Sequence, residues 1–119
     1  MEQTFLEFVS ARKKAVIEMQ EKDIEKYLVE LVKNLGGWAL KFVSPGVSGV
    51  PDRLILIPGG RMFFAELKRP GARPRPLQIA VHQRLRRLGF EVYVIDSKEK
   101  AEEVVSCAIR TSHLPADGD

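Results

Sequence analysis

Two acids and a lysine stand near the ends of two short apolar runs. Asp52 opens the run 52–57, and Glu66 and Lys68 fall late in the run 61–68. Pro58-Gly59-Gly60 separates the runs, which is a strong hairpin signal. With a three-residue loop Ile57 pairs with Arg61, and the same register sets Asp52 directly opposite Glu66. Opposed side chains share a face of the sheet, with Cβ atoms about 4.5–5.5 Å apart. The strand period of two turns Lys68 to that face as well. A two-residue loop, or a bulge, shifts the register and loses the alignment.

Two carboxylates this close repel unless a proton or a cation lies between them. A hard divalent cation such as Mg²⁺ suits them, because its ligands are oxygens and it keeps several waters. Such an ion polarises a phosphodiester and helps to generate hydroxide near neutral pH. A neighbouring ammonium stabilises the charge that develops on a pentavalent phosphorus. The plainer alternative is an ion pair of Lys68 with one acid on an exposed sheet edge. An isolated Glu-x-Lys carries no weight, but the strand start at Pro51-Asp52, the hairpin and the basic helix that follows favour the metal site.

The flanking helices can add to it. At 100° per residue, Glu21 projects near the centre of the first helix's apolar face and Glu25 at its border. An acid on an inward face needs a partner, which a metal supplies. The alternative is a glutamate favoured by the helix macrodipole, which applies more to Glu21. On the second helix Gln78 and His82 lie one turn apart, beside the apolar stripe. Gln78 is placed to orient an attacking water or Lys68. His82 reads as a helix-border histidine, with a DNA or proton-transfer contact as the other option.

The elements that must position these residues alternate. Ile24, Leu28, Leu31, Val32 and Leu35 recur at the spacing of a helix over 21–35 with one buried face, and Gly36-Gly37 stops it. Strands are predicted over 38–43, 52–57 and 61–68, with a permissive loop at 44–49. Pro76 suits the first turn of a second helix whose stripe is Leu77, Val81, Leu85 and Leu88, closed by Gly89. A fourth strand follows over 91–95. Asp96 or Ser97 can cap a last helix that turns Ala101, Val104, Val105, Ala108 and Ile109 inward. The order helix, three strands, helix, strand, helix predicts a small α/β sandwich. Residues 1–20 form a loosely amphipathic segment with Phe5, Phe8, Val9 and Val16 at helical spacings.

Charge and composition narrow the class. The chain has 119 residues, 45% hydrophobic and 29% charged, with a net charge of +3. That is one globular domain, neither disordered nor fibrous. The one cysteine, Cys107, excludes an internal disulfide and a cysteine-rich zinc site. No apolar run is long enough to span a bilayer, and the N-terminus does not read as a signal peptide. The charge is uneven. Residues 61–90 hold eight bases and the single acid Glu66, a net +7 against −4 for the rest. Seven of the eight bases are arginine, whose forked guanidinium matches phosphate oxygens. Such a block is the electrostatic footprint of a nucleic-acid binder, or else a solvated helix face.

Gly49-Val50-Pro51-Asp52-Arg53, then Phe64-Ala65-Glu66-Leu67-Lys68-Arg69-Pro70-Gly71, then Arg75-Pro76-Leu77-Gln78 resemble the stand-alone virus-type replication-repair nuclease (VRR-NUC) domains. These belong to the PD-(D/E)XK, or restriction-endonuclease-like, superfamily. The separate motifs are weak, and their combination and order are specific. The match runs from about Met19 to Ile109, which divides the chain into an N-terminal extension 1–18, a nuclease domain 19–110 and a flexible tail 111–119.

The resemblance implies an αβββαβ core with a mixed four-stranded sheet, and cleavage of DNA phosphodiesters with Mg²⁺, for which Mn²⁺ can substitute. It carries metal binding onto Asp52, Glu66, the backbone carbonyl of Leu67 and an acid of the first helix, Glu21 or Glu25. The catalytic lysine role falls on Lys68 and the glutamine role on Gln78. It further implies a homodimer acting on branched DNA such as Holliday junctions, since symmetric cutting of a four-way junction needs two active sites. The extension, with Phe5 and Phe8, can contribute to that interface or pack on its own domain. Arg53, Arg69, Arg73, Arg75, Arg84 and Arg87 are then the expected phosphate contacts, which position DNA without reading its sequence. No organic cofactor and no membrane are expected, and the expected place is the cytoplasm of a bacterium or phage-infected host. Two other readings stand beside this one. One is a less selective nuclease with the same site, and the other a DNA-binding module without catalysis.

Overall fold

The computed structural model describes residues 20–112. Helix α1 occupies residues 20–34. It is followed by β1 (Trp38–Lys41), β2 (Arg53–Ile57), β3 (Arg61–Leu67), α2 (Pro76–Arg87), β4 (Val92–Ile95) and α3 (Lys98–Ser112). The predicted order holds, with β1 two residues shorter than the apolar run that suggested it. The extension 1–18 lies outside the described residues. α3 takes in the first two residues of the expected tail, and the rest of that tail is not described.

The four strands lie in the order β1-β2-β3-β4. The first three are antiparallel neighbours, and β4 joins β3 in parallel through the α2 crossover. The sheet is therefore mixed, as the α/β reading requires. Ile57 pairs with Arg61 and Arg53 with Ala65, so Pro58-Gly59-Gly60 is a three-residue hairpin loop and the register is the one that opposes Asp52 to Glu66. Phe42 N–H donates to the Asp52 carbonyl at 2.9 Å, carrying the β1–β2 ladder to the site.

One face of the sheet makes the core. Ile55, Ile57, Phe63, Ala65, Leu67 and Ile95 meet Ile24, Leu28 and Val32 of α1 and Ala101, Val104, Val105 and Ala108 of α3. Every second strand residue points this way, as the pleat demands. Replacing Phe63, wholly buried here, by alanine should cost about 3–5 kcal/mol. Chemical denaturation of the two proteins checks this, and a loss below about 1 kcal/mol would contradict the assigned core.

Local signals fix the ends of the helices. α1 closes in a Schellman arrangement, with Gly37 N–H bonded to the Val32 carbonyl at 2.9 Å, Gly36 N–H to the Lys33 carbonyl at 2.9 Å, and Gly36 at φ 83°. Leu35 therefore lies beyond the helix, and it is exposed rather than inward. Ser97 caps α3, its Oγ accepting from Lys100 N–H at 3.0 Å.

α2 covers the opposite face of the sheet, and here the predicted stripe is corrected. Leu77 and Leu88 are 56% and 68% exposed, and Val81 and Leu85 only half-buried. The side chains α2 buries are Gln78 and His82. The reason lies across from them: Glu66 projects from β3 on this face, and a buried acid draws polar partners inward.

Candidate active site

Asp52 and Glu66 come together at the ends of β2 and β3. Glu66 is 1% exposed, whereas Asp52 lies open to solvent at the rim. Asp52 Oδ2 accepts a hydrogen bond from Leu67 N–H at 2.8 Å, which ties the end of one strand to the other. Lys68 follows at the end of β3, its N–H bonded to the Ile95 carbonyl at 3.0 Å and its Nζ 3.7 Å from Glu66 Oε2. The acids and the lysine therefore share a face, as the hairpin register requires.

The loop before Asp52 is held against α2. Gly49 has φ 88°, and a Cβ there would lie 3.1 Å from the Leu77 carbonyl oxygen. This close approach needs glycine, and it seats Pro51 and Asp52 beside the start of α2.

Gln78 holds Glu66 from α2. Its Oε1 accepts from Arg75 N–H at 2.8 Å, the reach-back of a third-position glutamine to the helix start. That bond orients the amide, so Nε2 donates to Glu66 Oε2 at 3.0 Å. His82, one turn further on, has Nε2 3.4 Å from Glu66 Oε1. Being 1% exposed, it is neither a border residue nor a DNA contact. Its imidazole is held below its ordinary pKa by burial, with Arg86 and Lys68 adding and Asp52 opposing.

Glu66 titrates far from the usual carboxylate range. Burial first, then the charge of Asp52, raise its pKa to about 7, while Lys68 pulls the other way. The folded protein thus keeps a proton that the unfolded chain releases near the ordinary 4.5. Stability from this group is complete below that value and is lost as pH rises through about 7. Glu66→Gln has no such proton to lose. Its Tm relative to wild type, measured in chelator, should therefore rise between pH 5 and pH 8, and a constant difference would contradict the shift.

A cleft of about 290 Å³ opens in front of Asp52 and Leu67 and is lined on the α1 side by Glu21 and Glu25. Glu25 is engaged: Arg53 Nε lies 3.0 Å from its Oε2, and Arg53 Nη1 donates to the Ala39 carbonyl at 3.1 Å. Glu21 forms no ion pair among the described residues. Arg53 itself departs from the expected phosphate contacts. Following Asp52 by one residue, it points through the sheet to the α1 side, where its side chain is 13% exposed. Arg69, Arg73, Arg75, Arg84 and Arg87 are exposed. Arg61 pairs with Glu91, and Arg86 donates to the Val92 carbonyl at 2.7 Å.

The residues suit a hard cation. Glu66 is a buried acid whose Oε1 has no hydrogen bond, and it faces a second carboxylate. Among the described residues no three His, Cys, Asp or Glu side chains gather as a metal cluster. A cation here would take few protein ligands, two carboxylates with backbone oxygen and water, which is how Mg²⁺ is usually held.

No family model matches the chain. A curated protein of Acyrthosiphon pisum secondary endosymbiont phage 1, named "Putative nuclease p44", is 51% identical over 81 residues, 68% of this chain and 87% of that protein. A solved structure named "VRR_NUC domain" superposes with a TM-score of 0.69 at 33% identity, covering 73% of this chain and 95% of its own.

Proposed function

The chain belongs to the VRR-NUC family of nucleases, and from that premise we propose that it is a divalent-metal-dependent endonuclease selective for branched DNA, acting as a homodimer. The observation that carries this reading is the buried Glu66, opposed by Asp52 and flanked by Lys68. A module that only bound DNA would gain nothing from two acids facing phosphates.

Asp52, Glu66 and the Leu67 carbonyl would hold the cation, Mg²⁺ or Mn²⁺. Glu21 rather than Glu25 is the further acid, because Arg53 occupies Glu25. When bound, the ion polarises the phosphodiester and makes water a better nucleophile near neutral pH. The Lys68 ammonium sits beside the acids to stabilise negative charge on the phosphate oxygens as the new P–O bond forms and the old one breaks. Gln78 keeps Glu66 in place through Oε2. Asp52, anchored on Leu67 N–H, stays at the rim where the phosphate arrives. Arg69, Arg73 and Arg75, in the β3–α2 segment that follows Lys68, supply phosphate contacts close to the chemistry, and Arg84 and Arg87 extend them along α2.

The test is cleavage of labelled four-way junction, flap, duplex and single strand, each with Mg²⁺ or EDTA. Cutting confined to Mg²⁺ and strongest on the junction is expected. Equal cutting of plain duplex would remove the selectivity for branched DNA, and cutting in EDTA would remove the metal. Sedimentation of the protein with and without junction should show two chains per complex, and a monomer that cuts both strands would overturn the dimer.

DNA affinity should fall steeply with salt, because each neutralised phosphate releases counterions. Arg73→Ala with Arg75→Ala should flatten the log–log slope by about two, one per lost contact. Fluorescence anisotropy across salt concentrations measures this, and an unchanged slope would place the DNA elsewhere.

A further inference from the structure

Glu66 and His82 form the most deeply buried polar pair among the described residues, each 1% exposed. Glu66 Oε1 and His82 Nε2 lack a conventional hydrogen bond, yet they face each other at 3.4 Å. The other carboxylate oxygen, Oε2, is held by Gln78 at 3.0 Å, and the Gln78 amide is itself locked by Arg75 N–H at 2.8 Å. Gln78 and His82 are four residues apart on α2, so they project from one face of the helix, one turn apart. Each lies against a different oxygen of the same carboxylate, Gln78 by a hydrogen bond to Oε2 and His82 by a 3.4 Å approach to Oε1.

We propose that His82 is a positioning residue: with Gln78 it forms a two-point clamp from α2 that fixes the plane of the Glu66 carboxylate, and so the direction of the lone pairs offered to the cation. The inference rests on the metal-dependent reading above and deepens it. A carboxylate held at one oxygen still pivots about its terminal torsion, which is broad and shallow. A second contact on the other oxygen removes that freedom. Outer contacts of this kind orient ligands and tune their affinity for metal. Filling space does not account for a histidine here, since a leucine or methionine would fill the same volume without burying two polar atoms.

His82→Leu and His82→Met put an apolar side chain of similar size in its place and remove the ring nitrogen, while His82→Gln returns a side-chain nitrogen near the position of Nε2. Mn²⁺ binding is measured by calorimetry on DNA-free protein, alongside Tm in chelator and the KM and kcat for junction cleavage. The apolar variants should bind Mn²⁺ about 10–100-fold more weakly. They should lose kcat at fixed Mg²⁺ while retaining the KM for DNA. His82→Gln should recover most of the Mn²⁺ affinity, and its Tm need not return with it. Mn²⁺ affinity unchanged in a folded apolar variant would overturn the clamp. So would a His82→Gln protein as weak as the apolar ones. Wild-type protein that binds no Mn²⁺ would instead overturn the metal-dependent reading, and the clamp with it.

Discussion

Lys68→Ala should lower single-turnover cleavage by about 10²–10³-fold while DNA affinity stays within about threefold. The rate loss is large because the ammonium is already in place beside Glu66 and is most needed when charge builds on the phosphate in the transition state. The binding loss is small because five exposed arginines remain to meet the backbone. Lys68→Arg should recover little. The guanidinium is longer and planar, and it must fit a side-chain position that is mostly enclosed. Rapid-quench cleavage and anisotropy on the same preparations measure the two effects. A variant that cuts at the wild-type rate would remove Lys68 from the mechanism.

Asp52→Asn should separate activity from stability in opposite directions. On the metal-dependent reading proposed above, the loss of this carboxylate should reduce cleavage by at least about 10²-fold at fixed Mg²⁺. The amide oxygen of asparagine can still accept the Leu67 N–H bond, so the strand ends stay tied. What disappears is the negative charge that helps to drive Glu66 upward. At pH 8 in chelator, above the value to which Glu66 is raised, removing that repulsion should raise Tm by about 2–5 °C, the shift that roughly half to one kcal/mol gives a domain of this size. Nucleases place opposed acids where folding alone would avoid them, a trade of stability for function. Undiminished cutting would remove Asp52 from the site, and a fall in Tm would show that the pair is not under repulsion.

Much of this site was legible because it is local. The Pro58-Gly59-Gly60 loop sets the hairpin register, and the strand period of two then places Asp52, Glu66 and Lys68 on one face without any distant part of the chain. The same parity turns Arg53 away from Asp52 to the α1 side of the sheet, which was readable from the strand. Its partner was not, because Glu25 belongs to a helix whose rotation depends on the whole core. Which of Glu21 and Glu25 meets Arg53 was hidden for the same reason. Helical projection ranks inwardness, and it says nothing of which acid meets an arginine.

α2 shows where pattern reading fails. Its leucines suggested one buried stripe, and the structure buries Gln78 and His82 instead. Hydrophobic periodicity assumes that the facing surface is apolar, and here the facing surface carries Glu66. The demand of one desolvated carboxylate for donors outweighs the gain from burying Leu77 more fully.

The order of elements, the hairpin and the opposition of Asp52 to Glu66 come from turns and strand parity, which act over a few residues. Which residues meet those acids depends on how the helices pack on the sheet. Gln78 and His82 close on Glu66, Arg53 engages Glu25, and Glu21 is left beside the cleft. Those choices follow from burial, and burial is set by the packing of helices against the sheet as a whole.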